Sequence, residues 1–457
     1  MDVATTITRE PWEEMEAILE TGDAEQLKEY VGKLPPGETA RAISRLQEEN
    51  QTRLLTLLPP EDAAALLEEM SHTQAAELID DLTPPQAAAI VNEMSSDEQV
   101  DLLGELDVDE AKAIVQEMDV EEAADVRQLS QFPHDTAGGL MITEYLVYPD
   151  SFKVADVLED MREQREKYSK YDVQYLYVKG RNGALVGVLR PRDLLLSPRD
   201  TPVTRIMVAD PLCVQTETHL DELVQLFDRQ GYFGVPVTDK WGRLAGVVRR
   251  ADVEEAVGDR ADRTLLKVSG IVGGEELRIM PLRVRSFRRL SWLSVNILLN
   301  IVAASVIALY QDTLAAAIAL AVFLPILSDM SGCQGNQAVA VSLRELTLGL
   351  VKPSDLFRVL GKEIGVGVIN GVLLGLVIGA VAWAWKGNPY LGLVVGGALA
   401  LNTLVAVSLG GTIPLVLRRL KADPALASGP ILTTVTDMCG FFLALSFATA
   451  LLPLLAD

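Results

Sequence analysis

"TTVTDMCGFFLALSFATALL", residues 433–452, is apolar over nearly its whole length yet carries one carboxylate, Asp437. On insertion scales an Asp near the centre of a membrane helix costs roughly 2.5 to 3.5 kcal/mol, so such a residue faces a bundle interior, a partner or a water-filled path. The stretch therefore sets two expectations. This end of the chain crosses a membrane, and its acid has a reason to be there, a cation route being one.

Residues 290–310 and 364–385 run 21 and 22 residues without a charge, each enough to cross a hydrocarbon core of about 30 Å as helix. Residues 313–343 contain Asp329 as their one charge, and 387–417 contain none. With 424–456 these give five spans. If the N-terminus is cytoplasmic, the inner loops collect Arg283, Arg285, Arg288, Arg289, Arg344, Lys352, Arg358, Lys362, Arg418, Arg419 and Lys421, and the outer ones keep Lys386. That asymmetry predicts five crossings with the C-terminus outside. Gly367, Gly371, Gly375 and Gly379 recur every four residues, which leaves one helix face bare for close packing.

The net charge of −24 is unevenly shared. Residues 281–457 hold 12 Lys and Arg against 8 Asp and Glu, whereas residues 1–280 hold 28 against 56. So acidic a first part repels nucleic acid and draws cations. Its start lacks a basic, apolar signal peptide, so it is expected to stay in the cytoplasm. Cys213, Cys333 and Cys439 form no CxxC pair, which suggests neither a disulfide framework nor a zinc site. There is no GxxxxGK[ST] motif, and His72, His134 and His219 stand apart, so nothing points to an enzyme.

"LPPGETARAISRL", "LPPEDAAALLEEM", "LTPPQAAAIVNEM" and "LDVDEAKAIVQEM" superpose at a period of 24 residues, with Leu46, Met70, Met94 and Met118 in phase. Such a repeat predicts a stacked, superhelical array of short helices. From residue 132 the pattern turns to Val-rich alternation with Gly turns. "VKGRNGALVGVLRPRDLL" (178–195) recurs as "VTDKWGRLAGVVRRADVE" (237–254), with "REQREKYSK" inserted in the first copy alone. This duplicated strand, turn, strand, helix element resembles a pair of CBS domains, in which the closing acids, here Asp193 and Asp252, often hold a ribose. The Thr usual three residues earlier is replaced by Arg190 and Arg249. Tyr175, Arg192 and Asp193 are the candidates for an ATP-type site, by stacking, charge and ribose contact, with a purely structural CBS pair as the alternative.

"FPHDTAGGLMITEYL" (132–146), the CBS pair, "GNQAVAVSLREL" (335–346) and "DPALASGPILTTVTDMCG" (423–440) together resemble the MgtE family of magnesium channels and transporters. The resemblance implies a multidomain chain: an acidic α-helical domain at 1–131, α/β tandem CBS domains at 132–257, a connecting plug helix at 258–282 and a five-helix transmembrane domain at 283–457. It further implies a homodimer in the plasma membrane with the ion path between subunits and Asp437 at the family's Mg²⁺-binding acid. Mg²⁺ keeps several waters and takes one or two carboxylates, which two symmetry-related copies of Asp437 supply. Asn336, Thr433, Thr436 and the carbonyl of Gly429 before Pro430 are further oxygen candidates. Asp329 departs from the family and is expected either to add a cation site or to pair with Arg344 or a lipid-facing water.

Control is expected from cytoplasmic Mg²⁺ bridging acids and holding the plug helix over the pore. The candidates are Asp97 and Asp101, four apart on one helix face, with Asp221, Asp252, Glu255, Asp259, Asp262 and Asp423. Arg260, Arg263 and Thr264 stand where many members carry acids, so weaker or displaced sensing is expected, with arginine pairing directly to Asp97 or Asp101. A CBS-gated transporter of Co²⁺, Ni²⁺ or Mn²⁺ and a membrane-anchored nucleotide sensor remain the alternatives.

Overall fold

The computed structural model describes residues 10–171, 173–271, 280 and 282–455. The chain divides into two compact units, Met1–Arg260 and Ala261–Asp457.

The first unit opens with ten helices among the described residues, from Pro11–Thr21 to Val120–Leu129. The repeat dictates their starts. Pro36, Pro60 and Pro84 sit in the first turn of every second helix, one per repeat, where the missing N–H costs nothing and φ is already set. Ser71 Oγ accepts from Gln74 N at 3.4 Å to start another. Helices of 8 to 11 residues are marginal alone, so each rests on the next repeat. Pro60–Glu68 packs on Pro84–Val91 and that on Val108–Glu117, while His72–Asp80 packs on Ser96–Glu105 and that on Val120–Leu129. Leu46, Met70, Met94 and Met118 are all buried in the shared core, as their common phase requires.

Two sheets of one plan follow. Leu146–Pro149 pairs parallel with Leu176–Lys179, which forms a hairpin with Leu185–Leu189 and, beyond it, Val208–Ala209. Val214–Gln215 pairs parallel with Gly234–Thr238, which forms a hairpin with Leu244–Arg249. The duplication read in the sequence reaches the register, since each hairpin shifts at the same place, Val178/Lys179 and Val237/Thr238. Both turns hold a glycine at positive φ, Gly183 at 79° and Gly242 at 75°, a conformation that a Cβ disfavours. The insertion of the first copy forms the end of Val154–Glu163 and the short helix Arg165–Tyr168. The core of the second CBS unit, including Leu220, Leu223, Val235, Val237 and Val248, is continuous with that of the helical repeats.

The helix closing the second CBS unit runs unbroken over Arg250–Val268. The connecting helix therefore does not begin at 258. It continues the CBS helix, because 250–268 contains no Pro and Gly258 keeps a helical backbone instead of turning left-handed to stop it. Residues 272–279 and 281 of the expected plug helix lie outside the described residues.

In the second unit five helices among the described residues are long and apolar enough to cross a membrane: Leu282–Leu309, Ile318–Thr347, Pro353–Lys386, Pro389–Arg419 and Ser428–Ala450. The fourth is central, with 61% of its apolar window buried against 11% for the first. The glycine strip explains that centrality. A Cβ on Gly371, Gly375 or Gly379 of the third helix would lie 2.5, 2.6 or 2.8 Å from the carbonyl of Ala400, Gly396 or Gly392 of the fourth. The two backbones touch where side chains would stand.

Candidate functional site

Asp437 lies nine residues into the Ser428–Ala450 helix, about 14 Å along its axis, close to the middle of that helix. It is 6% exposed. Ser328 Oγ, on the second span, donates to its Oδ1 at 2.5 Å, and no basic side chain pairs with it among the described residues. A buried carboxylate with a single hydroxyl donor is far from compensated in its charged form.

The neighbouring oxygens differ from expectation in part. Thr433 Oγ1 donates to the carbonyl of Gly429 at 3.0 Å, and Thr436 Oγ1 to that of Thr433 at 3.0 Å. The Gly429 carbonyl is thus not free. A proline's missing N–H releases the carbonyl four residues before it, not the adjacent one. Asp329 is exposed on the chain, not buried, and makes no ion pair with Arg344. Successive helical positions turn by 100°, so Ser328 facing Asp437 sends Asp329 outward. Asn336 is exposed too, seven residues on and on the same face. The structure therefore joins Asp437 to Ser328 and sets Asp329 and Asn336 on another face of the second span.

Sequence reasoning missed the polar node beside this acid. Asn402 of the fourth span, fully buried, donates from Nδ2 to Ser331 Oγ at 2.7 Å. Its Oδ1 and the hydroxyl of Thr403 are buried without a partner. A Cβ on Gly440 would lie 2.6 Å from Asn402 Nδ2, so fourth and fifth spans are in contact there. Ser331 and Gly440 each follow the Ser328–Asp437 pair by three residues. An Asn inside an otherwise chargeless span was the signal available.

In the first unit, most acids proposed as ion bridges already hold protein cations. Arg249 Nη2 lies 2.8 Å from Asp252 Oδ1 and 3.2 Å from Asp97 Oδ2. His134 Nδ1 lies 2.7 Å from Asp101 Oδ1, and Arg260 Nη1 2.7 Å from Asp221 Oδ1. Arginine does pair with Asp97, but from Arg249 at the end of a strand; Arg260, on the following helix, reaches Asp221 instead. Glu255, Asp259 and Asp262 make no side-chain ion pair among the described residues, and no cluster of three metal-ligating side chains occurs there. Burial, with Glu98 and Asp259 adding, pushes the Glu255 carboxyl up. Glu98, 3.1 Å from His72, pushes that imidazole up to about 9 and so keeps it charged. In the second unit Asp423 caps the last span through Ala425 N and meets Lys267 Nζ at 2.8 Å. The acids expected to bridge through an ion are thus largely held in ion pairs.

A cleft of about 500 Å³ between the CBS sheets is lined by Tyr175, Arg190, Arg192, Tyr232 and Phe233 among others. Two of the three ATP candidates line it. Asp193 does not, and sits 3.5 Å from Arg192 Nε. Its counterpart Asp252 is taken up by Arg249.

A family model described as a divalent cation transporter matches residues 324–447, one for the MgtE intracellular N domain residues 34–135, and one for the CBS domain residues 203–259. The magnesium transporter MgtE of Bacillus subtilis is 31% identical over 331 residues, 71% of each chain. That of Thermus thermophilus is 34% identical over 333 residues, 72% of this chain and 73% of its own. A solved structure of the soluble part of a magnesium transporter covers 55% of this chain and 98% of its own at 24% identity and a TM-score of 0.50, a likeness of fold. These relatives are transporters and not enzymes. With both ends of the chain matched and an uncompensated acid inside its apolar bundle, the protein belongs to the MgtE family of magnesium transporters.

Proposed function

We propose that the chain is a magnesium channel that admits Mg²⁺ passively across the plasma membrane as a homodimer, with its N-terminus in the cytoplasm and its C-terminus outside. The observation that carries this reading is Asp437, buried near the middle of its span beside one hydroxyl and, among the described residues, without a protein cation. A divalent ion entering through 100 mV gains roughly 4.6 kcal/mol, so no energy-coupling site is needed. The exposed face of the second span, with Asp329, Asn336 and Arg344, would be costly in lipid, which supports a second copy and a wet path against it. Eleven basic residues on one side against Lys386 on the other support the orientation.

Cytoplasmic Mg²⁺ controls the path through the first unit, by binding its unpaired acids more tightly in the closed arrangement. ATP is a second effector: Tyr175, Tyr232 and Phe233 suit a purine face, and Arg190 and Arg192 suit phosphates. The deciding experiment is Mg²⁺ uptake into liposomes by the parent and by Asp437→Ala. The variant is expected to lose uptake at least 100-fold while keeping its fold. Unchanged uptake overturns the channel reading in favour of a nucleotide sensor without transport, and parallel runs with Co²⁺, Ni²⁺ and Mn²⁺ rank the ions.

A further inference from the structure

The helical repeats and the second CBS unit meet across one guanidinium. Arg249 ends the Leu244–Arg249 strand, and its Nε donates to both oxygens of Asp252 at 2.9 Å. Its Nη2 reaches Asp97 Oδ2, on the Ser96–Glu105 helix, at 3.2 Å. The side chains of Arg249, Asp97 and Asp252 are 25%, 11% and 9% exposed. Glu144 stands close enough to act on both Arg249 and Asp97, and it accepts from Ser96 N and Ser96 Oγ at 3.0 Å each. Glu68, Glu98 and Glu122 crowd the same junction, with His72 beside Glu98.

So many carboxylates cannot share a part-dry junction without a positive charge between them. A bridging ion would have to shed water and meet a fixed geometry. Arginine arrives already charged at every physiological pH, and its flat fork matches two carboxylates at once.

We infer that Arg249 is a built-in counter-ion that seats the helical-repeat domain on the second CBS unit without a divalent cation. This deepens the proposed control: Mg²⁺ then acts where acids of the first unit are left unpaired, at Glu255 and Asp259, and the junction of the helical repeats with the second CBS unit is permanently closed. Without Arg249, Asp97 and Asp252 are a pair of facing carboxylates that a divalent ion can bridge.

The test is hydrogen exchange of the Ser96–Glu105 amides in the full chain, in detergent, with EDTA or with excess Mg²⁺. The parent is expected to be equally protected in both. Arg249→Gln is expected to exchange roughly 100-fold faster in EDTA, the scale of stranding a buried charge, and to regain protection in Mg²⁺. Arg249→Lys, which keeps the charge, is expected to stay protected in EDTA and so separates a lost clamp from a lost fold. The inference is overturned if the parent needs Mg²⁺ for protection, if Arg249→Gln stays protected in EDTA, or if Arg249→Lys behaves like Arg249→Gln. None of these outcomes depends on uptake, so the Asp437→Ala result is read separately.

Discussion

In the second unit Asp437 has a hydroxyl for company and no basic side chain among the described residues; in the first, Asp97, Asp101, Asp221 and Asp252 each have a basic side chain within 3.2 Å. The contrast runs against composition, because the first unit has the great surplus of acid. In the part-dry junction Asp97 and Asp252 are neutralised by Arg249, and nearer water Asp101 and Asp221 have basic partners of their own. Inside the bundle Asp437 is left with a hydroxyl and, among the described residues, no basic partner. The units also differ in what binds them together. Backbone touches backbone in the bundle, whereas short helices in the first unit rely on apolar repeats and fixed ion pairs.

The largest effect should come from pushing a side chain into the bundle. Gly371→Leu places a Cβ 2.5 Å from the Ala400 carbonyl, and neither backbone has room to give. Overpacking of this kind costs about 3 kcal/mol or more. The detergent-solubilised variant is expected to unfold its membrane part at clearly lower temperature while exchange in the Ser96–Glu105 helix stays as in the parent. A shift in both units would show that the two modes of cohesion are not separate.

A smaller effect sharpens the electrostatic half of the comparison. Burial pushes Glu144 up to about 7 from an ordinary 4.5, and Asp252 up to about 6 from 3.8, because one guanidinium cannot satisfy every carboxylate around it. For Glu144 the folded state holds the proton more tightly than the unfolded state. Its contribution is therefore intact below pH 4.5, fades as pH rises to 7, and is gone above that. Each pH unit between the two values is worth about 1.4 kcal/mol, which caps the loss at ~3 kcal/mol. Glu144→Gln, which cannot ionise, should gain on the parent in thermal stability from acid to neutral pH and then run parallel to it. A constant difference across that range would place the carboxyl in water and the junction outside the part-dry regime argued for Arg249.

What the sequence made legible follows from the range of each interaction. The five spans, the repeat of 24 and the CBS duplication are patterns of adjacent residues, and the structure carries all of them. The glycine strip was readable because one helix face is a matter of spacing alone. The partners of charges were not. Nothing in "SSDE" (95–98) or "VVRR" (247–250) says that Arg249 spans two domains 152 residues apart in the chain, and Asp329 looked buried because its span is apolar, although its neighbour Ser328 takes the inward position. Ser331 and Asn402 were passed over for the same reason: their meaning lies in a contact between spans, with no trace in either span's own period.

Ser328→Ala is the mildest perturbation and bears most directly on the isolated acid. Its hydroxyl is the one side-chain donor to Asp437 among the described residues, and a hydrogen bond to a charged group is worth about 1.5 to 3 kcal/mol. If an entering ion must replace that bond, removing it leaves the carboxylate freer to meet the ion. The apparent affinity for Mg²⁺ in uptake should then tighten by about 10-fold, with the maximal rate little changed or lowered by slower release. Ser328→Thr, which keeps the hydroxyl, should restore the parent value. Weaker affinity in Ser328→Ala would instead make the hydroxyl a helper of the ion, and equal affinity would mean that Asp437 meets the ion without leaving Ser328. In either case the solitary carboxylate of the bundle would have to be regarded, like those of the first unit, as held by its own protein.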